Sequence, residues 1–234
     1  MRNKMIKKSL FTIALLSSLI LQAEDIITAK HSNNRGLLGT SNIKVYVGKT
    51  SFGDKKTAYL FDDNIQYGVE GSFKANEHIS LGASIEIFNA DININGVTGN
   101  ISDTIFYFEG LYHFLPDKII DPFITLGLVH IPYDVEVVYQ GTTIYKEENL
   151  DNGYIFTVGA EFDISERVFL TPSFSYSKVG TYDANSAIVI ELDTMITNTI
   201  YIGAKINMDI KNTDTSYYVG VGFKFTSSIK RRLL

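Results

Sequence analysis

Four histidines, His31, His78, His113 and His130, and no cysteine make up all the imidazole and thiol groups of this 234-residue chain. Without Cys there is no thiol nucleophile, no zinc ribbon and no disulfide framework. A serine nucleophile needs a histidine base that is itself held by a carboxylate. His78-Ile79-Ser80 sets an imidazole two residues from a hydroxyl, but the pair falls where the chain reads as a tight turn, which predicts a solvated histidine. Neither His113 nor His130 has Ser or Asp at a spacing that suggests a triad, beyond Asp134 close after His130. Asp62-Asp63 and the run Asp91-Ile92-Asn93-Ile94-Asn95-Gly96 carry oxygen ligands of the calcium-loop type, yet the run lacks the later bidentate Glu. It reads as a polar surface loop whose Asn-Gly supplies the turn. These patterns predict no catalytic residue, no cofactor and no metal site.

Bulk composition narrows the classes further. A formal net charge of -5 without a basic block argues against nucleic acid as a partner. Hydrophobic content of 45% and a mean hydropathy of +0.05 are ordinary for a globular domain. The order of the residues points elsewhere.

Arg2, Lys4, Lys7 and Lys8 precede an apolar and small-residue run from Ser9 to Leu21, and Gln22-Ala23 then meets Glu24-Asp25. A basic start, a short apolar stretch and a small residue at the cut describe an export signal over residues 1–23. The run is short of the roughly 20 apolar residues that a spanning helix needs. Cleavage after Ala23 removes those four cations and no acid, which takes the net charge from -5 to -9. With no Cys at the cut, the usual thioether lipid anchor is excluded. Residues 24–41, polar around Asn33-Asn34-Arg35-Gly36, read as a flexible periplasmic lead-in.

Beyond the signal the dominant pattern has a period of two. In residues 65–74 one face reads Ile65, Tyr67, Val69, Gly71, Phe73 and the other Gln66, Gly68, Glu70, Ser72, Lys74. Residues 79–88 repeat this with Ile79, Leu81, Ala83, Ile85, Ile87 against Ser80, Gly82, Ser84, Glu86. Successive side chains of a strand point to opposite sides, so each run is a strand with one apolar and one polar face. Further runs at 43–52, 105–114, 123–133, 154–163, 168–177, 187–193, 199–208 and 217–225 bring the total to ten. Residues 123–133 are apolar on both faces, which leaves their inward side open. Short links near 75–77, 115–118, 165–166 and 194–195 alternate with longer polar stretches at 54–64, 89–104, 134–153, 180–185 and 211–216. Tight turns at one end and long loops at the other are the mark of an outer-membrane up-and-down barrel, which has an even number of strands. The fold class is therefore all-β, a transmembrane antiparallel up-and-down β-barrel over residues 42–225. Ten strands are expected, with eight as the alternative if 187–193 belongs to a surface loop and one other run is lost.

The apolar face must meet lipid, because a barrel of about ten strands has too little interior to hold it. Closure then satisfies every backbone N–H and C=O. The polar face lines the lumen with Lys44, Glu70, Glu86, Glu109, Glu161, Glu191, Lys205 and Lys224, joined by Lys74, Asp163 and Asp193. Mixed signs in a narrow lumen favour a salt-bridged plug, since partly desolvated charges must be paired. Inward Gly82, Gly203, Gly220 and Gly222 leave room for a file of water. Tyr67, Phe73, Tyr112, Phe114, Phe123, Tyr154, Phe162 and Tyr176 lie near strand ends, where interfacial aromatic girdles are expected.

The closing strand, Tyr217-Tyr218-Val219-Gly220-Val221-Gly222-Phe223-Lys224-Phe225, resembles the C-terminal strand of small outer-membrane barrels of the OmpA, OmpX and Opa type. Asp121-Pro122-Phe123-Ile124-Thr125-Leu126-Gly127-Leu128 is similar to that family's strand start after a periplasmic turn. The resemblance covers most of the mature chain by pattern rather than by identities. It implies that Tyr217, Val219, Val221, Phe223 and Phe225 form a sorting signal captured by the barrel-assembly machinery through strand pairing. In the family the aromatic is usually terminal, whereas residues 226–234 follow here with Lys230-Arg231-Arg232 as a short basic tail. With so few residues after the closing strand, no OmpA-like peptidoglycan-binding domain is expected. His78-Ile79-Ser80 resembles the His-x-Ser pair of lipid A deacylase barrels, but at the periplasmic rather than the outer-leaflet end. Ten strands also match the omptin surface proteases, for which His130 with Asp134 is one acid-histidine candidate without a second pair. The expected protein is a non-enzymatic barrel of the cell outer membrane, with lipid, lipopolysaccharide and the assembly machinery as partners. Its loops would serve envelope integrity or an extracellular ligand. A small porin-like channel is the alternative, and an enzyme acting on lipid A or surface peptides the third reading.

Overall fold

The computed structural model describes residues 37, 40–53, 61–94, 97–116, 118–180 and 184–225. The signal segment 1–23, most of the lead-in and the tail after Phe225 lie outside the described residues. Ten strands follow in chain order: β1 (Ser41–Ser51), β2 (Phe61–Lys74), β3 (Ile79–Ile94), β4 (Val97–His113), β5 (Ile120–Tyr139), β6 (Thr142–Ser165), β7 (Val168–Val179), β8 (Asn185–Met195), β9 (Ile200–Asp209) and β10 (Thr215–Phe225). Each pairs antiparallel with its sequence neighbours, and β10 pairs with β1 to close the barrel. Closure runs in register from Ser41 opposite Phe225 to Ser51 opposite Thr215, so no edge is left along that seam. The eight-strand alternative falls, because residues 187–193 lie within a full strand, β8, paired on both sides.

Burial follows the two-residue period, but inside out relative to a water-soluble protein. Leu126 and Leu128 are 65% and 67% exposed and Val219 is 61% exposed, while Lys44 is only 3% exposed. Large apolar residues on the outside and lysine within are what a lipid-solvated barrel requires, since hydrocarbon replaces water around the apolar face. The same pattern resolves β5. Asp121, Phe123, Thr125 and Val129 are buried inside, and Leu126 and Leu128 face out. Phe123 is thus a lumen residue at 4% exposure and does not belong to an interfacial girdle.

Strand lengths differ from the sequence expectation at one end of the barrel. Residues 89–104 and 134–153 read as polar loops, yet they continue β3 into β4 and β5 into β6 as paired hairpins. β5 has 20 residues and β6 has 24, against roughly 9–11 that cross a bilayer. Polar residues interrupt the alternation there because water solvates both faces of a strand beyond the lipid. The amphipathic signal is lost while the ladder persists. The β5–β6 hairpin closes through Gln140 and Gly141 at φ of 50° and 80°, the positive values that a two-residue turn of the primed type needs. The extensions stand on the end that carries the long connections. The turns joining β2 to β3, β4 to β5, β6 to β7 and β8 to β9 are at the other end, with the start of β1 and the end of β10.

Candidate functional site

The alternation of β1, β2, β8 and β9 brings two lysines and three carboxylates to one place in the lumen. Lys44 Nζ bonds Glu191, lies 3.2 Å from Asp193 Oδ1 and 3.6 Å from Glu70 Oε1. Lys205 Nζ reaches the other oxygen of Glu70 at 3.4 Å and sits over the rings of Tyr46 and Tyr218, 4.7 and 5.0 Å from their centroids. Those two rings meet edge to face at 5.5 Å, and their hydroxyls donate to the two oxygens of Glu86 at 3.1 and 3.2 Å. A tyrosine layer and a lysine-carboxylate layer therefore share Lys205. The arrangement answers the demand that charges taken from bulk water be paired and hydrogen-bonded.

Glycines make room for these groups. A Cβ on Gly203 would fall 2.1 Å from Asp193 Oδ1 and 2.7 Å from Lys44 Nζ, and one on Gly222 would fall 2.0 Å from the Tyr201 ring. A Cβ on Gly220 would crowd Tyr46 and Lys44. The space expected to hold a file of water at these three positions is filled by lysine and tyrosine side chains. Gly82 differs, for it borders an open chamber of about 250 Å³.

That chamber is lined by Glu70, Glu109, Glu161, Glu191 and Asp193, by hydroxyls including Ser80, Thr125 and Thr157, and by apolar Leu37, Leu111 and Phe123. Leu37 belongs to the segment expected to be a loose lead-in, yet it is buried in a cluster with Phe169, Met195 and Tyr201. Its N–H donates to Glu161 Oε2 at 3.1 Å. Lys224 is buried nearby and interacts electrostatically with Glu161 and Asp163.

At the turn end, the structure assembles a Ser-His-Asp row that local spacing did not suggest. His113 is fully buried, with Nδ1 2.6 Å from Asp121 Oδ2 and Nε2 3.3 Å from Ser80 Oγ. Asp121 also accepts the Leu115 N–H at 3.1 Å, and the His113 carbonyl faces His78 Nδ1 at 2.8 Å. The row thus ties β3, β4, β5 and two turns together. The only signal available was that Ser80 and His113 lie on the inward faces of adjacent strands, with Ile79 opposite Tyr112. His78 is an exposed turn residue stacked on Tyr112 at 5.7 Å.

The remaining candidates stay apart. His130 bonds Asn152 Oδ1 at 2.7 Å and packs on Phe106, with no bond to Asp134. Asp91 is exposed on β3 opposite Asn100, while Asn95, Gly96 and the side chains of Asp62 and Asp63 lie outside the described residues. Among the described residues no three His, Cys, Asp or Glu side chains gather as metal ligands. On the β5–β6 hairpin, Lys146 Nζ pairs with Glu148 at 2.8 Å. That hydrogen-bonded pairing raises the lysine pKa and lowers the carboxyl pKa. Tyr133 Oη donates to Glu147 at 3.2 Å, and Tyr145 bonds the same carboxylate. Tyr217, Val219, Val221, Phe223 and Phe225 form the exposed apolar face of β10.

A closed antiparallel barrel with lipid-facing apolar residues and a charged, hydrogen-bonded lumen defines a transmembrane barrel of the bacterial outer-membrane class. The chain belongs to the family described as the outer membrane protein beta-barrel domain, whose model matches residues 11–205. It is a protein of the outer membrane. A sequence comparison with curated proteins finds no match. Among solved structures, the translocator domain of autotransporter NalP from Neisseria meningitidis is similar at a TM-score of 0.48 and 10% identity, over 93% of this chain and 98% of that one. The attachment invasion locus protein Ail of Yersinia pestis gives 0.41 and 13%, over 80% and 99%. OprG from Pseudomonas aeruginosa gives 0.43 and 10%, over 81% and 98%.

Proposed function

We propose that this protein presents a raised β-sheet at the cell surface, on a barrel whose lumen is plugged rather than open. The observation that carries the reading is the length of β3 to β6. About ten residues of β5 and β6 beyond the span a bilayer needs, at about 3.3 Å each and with barrel tilt, extend roughly 25 Å past the lipid. A ladder of that height costs conformational entropy, and a barrel serving only as a wall has no use for it. The orientation follows from the rule that tight turns face the periplasm and long connections face outward. Exposed Tyr139, Ile144, Tyr145 and Leu150, set among Glu136, Lys146 and Glu148, give the sheet both apolar and charged contact points for an extracellular ligand.

The plug argues against the porin-like alternative. Lys44 and Lys205 cross the lumen to carboxylates on other strands, and Tyr46 and Tyr218 close around Glu86. Residues 1–23 act as the export signal and residues 226–234 as a basic periplasmic tail. The outward face of β10, from Tyr217 to Phe225, serves as the signal for the barrel-assembly machinery. Refolded protein in planar bilayers is expected to stay electrically silent over a broad voltage range. Reproducible unitary conductance would overturn the plugged-barrel reading in favour of a channel.

A further inference from the structure

We infer that the lumen chamber holds a small organic cation, a primary ammonium on a short aliphatic chain, with Glu109 and Thr125 as its hydrogen-bond acceptors. Five carboxylates line the chamber, Glu70, Glu109, Glu161, Glu191 and Asp193. Lys44 is shared among Glu70, Glu191 and Asp193, and Glu161 has the Leu37 N–H and Lys224. Glu109 has no hydrogen bond or ion pair among the described residues, and the cation that acts on it at longer range, Lys205, is already engaged with Glu70. A carboxylate withdrawn from bulk water without a partner is costly, so the site as built favours a positive ligand.

Three features shape the place where that ligand would sit. Glu109 lies between glycines on both neighbouring strands, opposite Gly82 on β3 and Gly127 on β5. A Cβ on Gly127 would come within 2.7 Å of Glu109 Cγ, so the bare backbone there makes the notch in which the carboxylate arm lies. Thr125, one inward step from Gly127 and diagonal to Glu109, lines the same chamber and is 3% exposed, and its hydroxyl oxygen has no hydrogen-bond partner. A buried hydroxyl without a partner is destabilising, a penalty that an N–H donor would remove.

The chemistry of the lining selects among cations. The carboxylates do not converge as metal ligands among the described residues, which disfavours a bare divalent ion. Leu111, Phe123 and Leu37 give the lining apolar surface as well, suited to a hydrocarbon arm. An ammonium head bonding Glu109 and Thr125 with its aliphatic tail on those apolar side chains uses both the polar and the apolar part of the lining.

Isothermal titration of the full chain, refolded in detergent micelles, with n-propylammonium chloride tests this. Sodium chloride and sodium propionate at matched ionic strength serve as comparisons. Saturable binding of propylammonium alone is expected, weakened roughly tenfold or more by Glu109→Gln and several-fold by Thr125→Val. Heat-modifiable gel migration of each variant establishes that it is folded, and if Glu109→Gln fails that check Thr125→Val decides. No saturable heat with the unmodified protein, equal binding by the folded variants, or displacement by sodium at equal concentration would each overturn the assignment.

Discussion

Lys44 is the residue on which the lumen depends most. It is nearly inaccessible to solvent and serves Glu70, Glu191 and Asp193 together, so Lys44→Met would leave three carboxylates facing one another without their shared cation. Breaking a buried pair from one side costs about 3–5 kcal/mol. The midpoint of urea unfolding in micelles should fall accordingly, whereas an unchanged midpoint would show that the cluster is solvated. Asp121 holds a similar place at the turn end. Asp121→Ala removes the acceptor of both His113 Nδ1 and the Leu115 N–H, and about 1–3 kcal/mol of stability should be lost for each buried group left unsatisfied. The same denaturation measurement checks it. The inward and outward character of such residues was legible in the sequence, because alternation alone sorts Lys44, Glu70 and Glu191 from Val45, Val69 and Ile190. Their partners were not. Lys44 meets Glu191 across 147 positions, and Ser80 meets His113 across 33, contacts set by barrel closure and inter-strand register rather than by local spacing.

At the scale of elements, the two-residue period marks all ten strands, but β3 to β6 each run six or more residues beyond the segments it marks. The amphipathic pattern depends on a lipid face, so it weakens along the extensions of β3 to β6, where Ile92, Ile94 and Val97 with Val135 and Val137 are the remnants that hint that the ladders continue. β5 misled in another way, since Phe123 and Leu128 are equally apolar and only the buried Asp121 and Thr125 on the Phe123 side mark which face turns inward. The β5–β6 hairpin pairs along residues 133–139 with residues 97–103 of β4, while the ion pairs of Lys44 and Lys205 lie below it in the lumen. Tyr133 lies opposite Asn149, so replacing residues 134–148 by Asn-Gly would rejoin β5 and β6 in register through a favoured turn. The shortened protein should retain heat-modifiable migration and lose surface binding. Failure to fold would show that the extension is part of the folding unit.

For the whole molecule, folding and targeting converge on β10. Its outward Val219, Val221 and Phe223 face lipid, and its backbone closes the barrel against β1. If this strand is also what the assembly machinery captures, Phe223→Ala with Phe225→Ala should lower the amount of protein in the outer membrane several-fold. Stability after refolding in detergent should change far less, and the two quantities are read by membrane fractionation and by urea unfolding. The composition that looked like a soluble domain is explained by the same architecture. An apolar exterior and a charged interior average to near-zero hydropathy.

A ten-stranded outer-membrane barrel that raises the β5–β6 hairpin above the cell surface can be probed with single cysteines, because the chain has no cysteine of its own. A membrane-impermeant maleimide applied to intact cells would probe Thr143→Cys, near the hairpin tip, and Glu77→Cys, in the β2–β3 turn, both at exposed positions. Labelling at position 143 from outside, with position 77 labelled only after the outer membrane is opened, is the expected result. Labelling at position 77 on intact cells with protection at 143 would mean that the barrel sits the other way round, with the hairpin in the periplasm.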